Sequence, residues 1–174
     1  MLKKALILVS LIVAPAMLHG QARPSATRAG DLQVGGGYSI VSPDFGTNHL
    51  GGIMGYADFD FRPTIGIEAE VRFANMNARV DVTEKTYLIG PRYIFYYHKF
   101  NPYAKILVGR GVFNFPLNTA NLAYNMVAFG GGIDYRVKRH INIRVIDVES
   151  QHWFSFQKSS LTPLAYSAGV AYHF

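Results

Sequence analysis

From about residue 31 onward, this chain counts in twos. Between Thr64 and Phe73, the residues Ile65, Ile67, Ala69, Val71 and Phe73 alternate with Gly66, Glu68, Glu70 and Arg72. Successive side chains of a strand point to opposite faces, whereas a helical period of about 3.6 residues would spread those charges around the whole circumference. The pattern predicts a strand with one apolar and one charged face. The last segment repeats it. Leu164, Tyr166, Ala168, Val170, Tyr172 and Phe174 share one phase, while Ala165, Ser167, Ala171 and His173 share the other.

The same rule holds along the rest of the chain and predicts eight strands, at about 31–42, 47–61, 64–76, 82–97, 102–113, 124–137, 140–152 and 161–174. The connections alternate as well. Arg62-Pro63, His98 to Asn101 and Lys138 to His140 are tight, whereas Ser42 to Gly46, Asn75 to Thr83, Asn114 to Ala123 and His152 to Ser160 are longer and more polar. Short turns on one side and long loops on the other describe an up-and-down meander. An even number of strands leaves both ends of the meander on the short-turn side. In a membrane barrel, that side is periplasmic and the long loops are extracellular.

Composition decides which face is out. Hydrophobic residues make up 49% of the 174 residues and charged residues only 16%, against about 25% charged in a typical soluble domain. Yet no apolar run in the body of the chain approaches the roughly 20 residues of a membrane-spanning helix. The apolar phases carry aromatic rings near the predicted strand ends: Phe59, Phe61, Phe73, Tyr97, Tyr135, Tyr172 and Phe174. Such rings suit a membrane interface. The opposite phases are rich in glycine and small residues, as expected for a narrow barrel interior. The fold class that follows is all-β, an eight-stranded antiparallel up-and-down transmembrane β-barrel. A soluble barrel would need the two faces reversed. The triple glycines at 35–37 and 130–132 lie inside strand patterns and lack the strand-to-helix context of a phosphate loop.

The N-terminus reads as an address. Lys3 and Lys4 precede an almost wholly apolar stretch from Ala5 to Leu18, and small or polar residues follow. This is the pattern of a secretory signal peptide. Cleavage is expected after Ala22, or alternatively after Gly20. Residues 1–22 are then the signal, 23–30 a flexible periplasmic tail, and 31–174 the barrel. Losing Lys3 and Lys4 takes the formal charge from +6 to +4. Export argues against nucleic acid as a partner despite the basic balance. The absence of cysteine excludes disulfide scaffolds and cysteine-based zinc sites.

The terminal strand, Tyr166-Ser167-Ala168-Gly169-Val170-Ala171-Tyr172-His173-Phe174, resembles the C-terminal signal of bacterial outer-membrane barrels. Tyr87-Leu88-Ile89-Gly90-Pro91-Arg92-Tyr93 and Gly130-Gly131-Gly132-Ile133-Asp134-Tyr135-Arg136 resemble strands of the outer membrane protein beta-barrel domain group. Strand number and size are similar to the small OmpA-like eight-stranded barrels. The resemblance spans about 31–174. It implies a cell outer-membrane location and a final strand, through Tyr166, Ala168, Val170, Tyr172 and Phe174, that the barrel-assembly machinery reads. It says little about activity, because a fold hosts many functions.

On this phasing the lumen receives the acids Asp58, Asp60, Glu68, Glu70 and Asp134 and the bases Arg72, Arg92, Lys105, Arg136 and Arg144. Buried charges are costly unless paired, so an ion-pair network plugging the lumen is expected. Its acids would come mainly from the second and third strands and its bases from the fourth to seventh. Water-solvated charges in a looser lumen are the alternative. Asp147 and Glu149 break the rule, because simple alternation puts them on the lipid phase. Either a bulge after Val145 shifts the phase, which is the favoured reading, or both residues sit at the rim.

Arg79, Lys85, Arg110 and Lys158 fall at or near the long-loop rim. They are candidate contacts for lipopolysaccharide phosphates, since charged hydrogen bonds to phosphate are strong. Ordinary solvated loop charges are the other reading. The six histidines lack metal-ligand spacing, so no metal and no cofactor are expected. Glu149, His152 and Ser155 lie close in sequence, but their spacing does not match the His-x-Ser pattern of lipid-modifying barrels. The expected function is a non-enzymatic, monomeric barrel with a structural or surface-interaction role among outer-membrane lipids. A narrow solute channel or sensor comes second, and a lipid A-modifying enzyme third.

Overall fold

The computed structural model describes residues 30–42, 49–76, 82–114, 121–154 and 161–174. Eight strands run in chain order: β1 (Asp31–Ser42), β2 (Leu50–Asp60), β3 (Ile65–Met76), β4 (Val82–Ile94), β5 (Phe100–Asn114), β6 (Asn121–Lys138), β7 (Ile141–Trp153) and β8 (Leu164–His173). Each pairs antiparallel with its neighbour in sequence, and β1 pairs with β8, so the sheet closes into a barrel. Closure removes the free edges that an open sheet would present. It also satisfies every ladder hydrogen bond inside a membrane. The eight-stranded up-and-down barrel is the architecture that the alternation predicts.

The inside-out arrangement is visible residue by residue. Ile53, Ile67, Val71, Ile89, Val108 and Val170 are exposed on the wall, while Asp58, Glu68, Glu70, Arg72 and Arg144 are buried in the lumen. On the short-turn side the outer wall carries paired rings. Tyr93 meets Phe95 with centroids 4.8 Å apart, Phe100 meets Tyr135 at 4.9 Å, and Tyr172 meets Phe174 at 4.9 Å. The turn between Tyr97 and Phe100 is closed by backbone bonds of 3.0 Å in both directions, and His98 takes a φ of 59° there. Asn, Asp and His tolerate that left-handed region better than other side chains do.

The seventh strand contains the expected bulge. Ile133 faces Ile146, yet the next residue, Asp134, faces Arg144, and the register with β8 also shifts between Arg144 and Asp147. Val145 and Ile146 are consecutive and both face outward. The extra residue flips the phase, so Asp147, Glu149, Gln151 and Trp153 all enter the lumen, each fully buried.

The interior combines its glycines and small residues with bulk. Tyr56, Tyr103, Leu88, Leu107, Met126 and Trp153 are all buried inside. The glycines on that face make room for them. A Cβ on Gly35 would collide with the Tyr56 ring, and one on Gly111 with the Trp153 indole. An eight-stranded interior is just wide enough to be filled by side chains, so each large ring needs a bare backbone opposite.

Candidate functional site

The described chain concentrates its buried charge in the middle of the lumen, and register explains how. Asp58 lies directly across from Glu68 on β2 and β3, and Arg92 directly across from Lys105 on β4 and β5. Like charges facing each other destabilise a ladder. One part of the wall therefore carries adjacent acids and another adjacent bases, and each relieves the other across the lumen.

Arg144, on β7, is the hub. Its Nη2 donates to Asp58 Oδ2 at 3.0 Å, its Nη1 to Glu68 Oε1 at 3.1 Å and its Nε to Asp134 Oδ1 at 3.1 Å. The guanidinium lies 3.6 Å from the Tyr56 ring centroid and 4.7 Å from that of Tyr103. A planar, five-donor group beside two rings presents a rigid fork to three carboxylates at once. Arg92 joins the same acids, with Nη2 donating to Asp134 Oδ2 at 3.1 Å and Nη1 paired to Asp58.

Lys105 organises the next layer. Its Nζ lies 2.9 Å from Glu68 Oε1, 2.9 Å from Glu70 Oε2, 3.0 Å from Asp147 Oδ2 and 3.3 Å from Glu149 Oε2. Glu70, Asp147 and Glu149 offer oxygens within 4.8 Å of one another, the spacing of a metal-ligand set. The Lys105 ammonium already stands among all three. Arg72 pairs with Glu70 and donates from Nη1 to Glu149 Oε1 at 3.1 Å. From there an amide and an indole continue the chain up β7. Gln151 Nε2 donates to Glu149 Oε1 at 2.8 Å, and Trp153 Nε1 donates to Gln151 Oε1 at 3.0 Å. Towards the short-turn side the network ends in Gln33, which donates to Asp58 at 2.9 Å, and Asn142, which donates to Gln33 at 2.5 Å.

The long-loop side of the charged layers is mostly apolar. Leu88, Leu107, Met126, Ala128 and Trp153 pack together there, with Val41, Leu50, Ala74 and Ala165 forming a second cluster. Glu84 is buried on the same face of β4 as Thr86 and Leu88.

Of the ten lumen charges expected from sequence, Asp58, Glu68, Glu70, Arg72, Arg92, Lys105, Asp134 and Arg144 meet in this network. Asp60 and Arg136 do not. Both lie beside the short turns, Asp60 half-buried and Arg136 exposed next to an irregularity in the β6–β7 register, and neither forms an ion pair among the described residues. Asp147 and Glu149 bring two further acids from β7, beside the expected Asp134 of β6 and the expected base Arg72 of β3. Tyr56, Tyr103, Gln33, Asn142, Gln151 and Trp153 were not anticipated as partners. The period-two run Asp147, Glu149, Gln151, Trp153 is the signal that marks β7 once the bulge is known.

The remaining sites are placed as follows. Tyr166, Ala168, Val170, Tyr172 and Phe174 all face outward along the β8 side of the wall. Lys85 is half-buried and Arg110 exposed, both on the outward phase near the long loops. Arg79 and Lys158 lie outside the described residues, as do residues 1–29. Glu149 and His152 point to opposite faces of β7, with the His152 ring edge-on to Phe154 at 5.1 Å on the outer side. That separates the acid from the histidine of the weighed hydrolase arrangement, whose Ser155 lies outside the described residues.

The family described as outer membrane protein beta-barrel domain matches residues 6–174. The chain belongs to that family. As an outer membrane β-barrel it also resembles solved structures. Neisserial surface protein A aligns with a TM-score of 0.64 at 12% identity, over 84% of this chain and 97% of that one. OprG from Pseudomonas aeruginosa aligns at 0.61 and 14% identity, over 84% and 96%. Ail of Yersinia pestis, solved with the heparin analogue sucrose octasulfate, aligns at 0.57 and 16% identity, over 83% and 99%. At such identities the likeness concerns the barrel alone. No curated protein sequence matches the chain.

Proposed function

We propose that this outer membrane β-barrel is a non-enzymatic, monomeric protein with a structural or surface-interaction role, its lumen closed by ion pairs. The observation that carries the reading is the Arg144 hub. It joins three strands across the lumen through Asp58, Glu68 and Asp134. The apolar cluster around Trp153 lies above it. A charged layer and a mostly apolar layer in series oppose the passage of solutes. In this reading the wall contacts outer-membrane phospholipid and lipopolysaccharide, and the four long connections are displayed outside. Residues 1–22 are removed as a signal, at Ala22 or Gly20, and residues 23–30 form a periplasmic tail. The outward residues of the last strand, from Tyr166 to Phe174, direct assembly by the barrel machinery.

A second reading, a narrow cation-passing channel, draws on one feature. Among the described residues the interior buries seven carboxylates against four bases. Planar-bilayer recording of the purified protein separates the two. The closed-lumen reading expects a silent membrane. Large, steady, cation-selective currents would overturn it in favour of the channel.

A further inference from the structure

On the outer wall, close to the long loops, two cations interrupt the apolar face. Lys85 lies across from Val112, and Tyr87 across from Arg110. Lys85 and Arg110 are therefore diagonal neighbours on one outward face, a relation that places residues roughly 7–8 Å apart. Among the described residues neither is held by an ion pair. The nearest acid in sequence, Glu84, turns into the lumen and is buried. Two cations on a lipid-facing wall with no ion-pair partner among the described residues suit an anion from outside the protein.

The relief of the wall around them has the shape of a lipid. On one side of Arg110 is a polar hollow of about 330 Å³, formed with Ala123, Asn125 and Phe154. On the other, below Tyr87, an apolar groove of about 440 Å³ runs over Ala57, Ala69, Val71, Ile89 and Val108. The groove exists because Ala57 and Ala69 face each other across the β2–β3 ladder, next to Gly55. Small side chains there sink the surface between larger neighbours. Phe73, edge-on to Tyr87 at 6.3 Å, stands beside its upper end.

We propose that this face is a docking site for a phosphorylated lipid of the outer leaflet. The phosphate binds Lys85 and Arg110, the polar headgroup lies in the hollow by Asn125, and one acyl chain lies in the Ala57–Ala69 groove. The site rests on the outer-membrane reading above, with the long loops at the external surface.

Native mass spectrometry tests it, using the full chain in detergent micelles titrated with bis-phosphorylated lipid A or with the same lipid lacking its phosphates. One lipid A is expected to stay on the native barrel and the dephosphorylated lipid to be lost. The double variant K85Q/R110Q is expected to bind about tenfold more weakly or worse, as two charged hydrogen bonds are removed. A69F fills the groove, leaves both cations in place, and should also weaken binding. R62Q, on an exposed residue at the short-turn end, should bind as the native chain does. Undiminished binding by folded K85Q/R110Q, or equal binding of the dephosphorylated lipid, overturns the proposal. Undiminished binding by A69F, or a cross-link through the groove to a second copy, does the same. Heat-modifiable gel mobility shows that each variant is folded. Failure of the native chain to reach the folded state, or to expose its long loops to protease on cells, overturns instead the reading on which the site rests.

Discussion

Arg144 concentrates the energetics of the lumen in one side chain. It has no exposed surface, and its donors are divided among Asp58, Glu68 and Asp134 between two aromatic rings. Removing one partner of a buried ion pair leaves the others charged and desolvated, which costs about 3–5 kcal/mol. Arg144→Ala should lower folding stability by about that amount, read from urea unfolding in lipid vesicles. Arg144→Lys should recover only part of it, because an ammonium lacks the planar fork that reaches Asp58, Glu68 and Asp134 from above the Tyr56 ring. A loss near zero for Arg144→Ala would mean that the lumen is wet enough to solvate the acids left behind. His98 works at the same scale with a different currency. Its φ of 59° is a backbone demand, set by a turn with only His98 and Lys99 between the bridged Tyr97 and Phe100.

At the scale of the element, β7 is the strand on which the interior depends. Before the bulge it supplies Asn142 and Arg144, and after it Asp147, Glu149, Gln151 and Trp153, all inward. The single extra residue at Val145–Ile146 keeps both halves facing the lumen. Deleting Ile146 should remove the bulge and leave Asp147, Glu149, Gln151 and Trp153 inward, because Arg144, Val145 and Asp147 then alternate in, out, in. The expected result is a chain that still reaches the folded, heat-modifiable form on a gel. A deletion that fails to fold would show that the bulge itself is needed to match β7 to the registers of β6 and β8. β2–β3 and β4–β5 illustrate another feature of elements here. Each of these adjacent pairs places like charges side by side, at Asp58–Glu68 and Arg92–Lys105. Neither pair is electrostatically complete until the barrel closes and Arg144 and Asp134 arrive from β7 and β6.

For the whole molecule, the decisive property is that polar and apolar surfaces are exchanged relative to a soluble protein. The chain has a single tryptophan, and Trp153 is buried at 0% exposure in the lumen, its Nε1 donating to Gln151. Tryptophan in a membrane barrel ordinarily marks the lipid interface. Its fluorescence in the reconstituted protein should therefore resist quenching by brominated acyl chains and by aqueous acrylamide alike. Strong quenching by the brominated lipid would place the indole on the wall, and strong quenching by acrylamide would mean an open, water-filled lumen. The same exchange explains the low charged fraction of the sequence. Much of the apolar surface is spent on a wall around the barrel, and most of the strand charge is gathered at its centre.

Alternation such as that of Ile65 to Phe73 and of Leu164 to Phe174 determined the strands and their two faces, composition decided which face is out, and the alternating loop lengths gave the up-and-down order. A period of two is a local property, carried by each strand independently. It also placed Glu68, Glu70, Arg72, Arg92, Lys105 and Arg144 in the lumen. It did not determine who meets whom. Arg144 and Asp58 are far apart in sequence, and they touch because closure of the sheet brings β7 opposite β2. Nor did it fix Asp147 and Glu149, whose direction depends on a bulge that only the pairing of β7 with β6 and β8 reveals. The places of Asp60 and Arg136 beside the short turns, outside the network, follow from their height along the barrel, which phase alone does not encode. Faces are written in the spacing of residues, whereas partners, register and depth are set by the closed barrel, because only closure fixes the distance across the lumen.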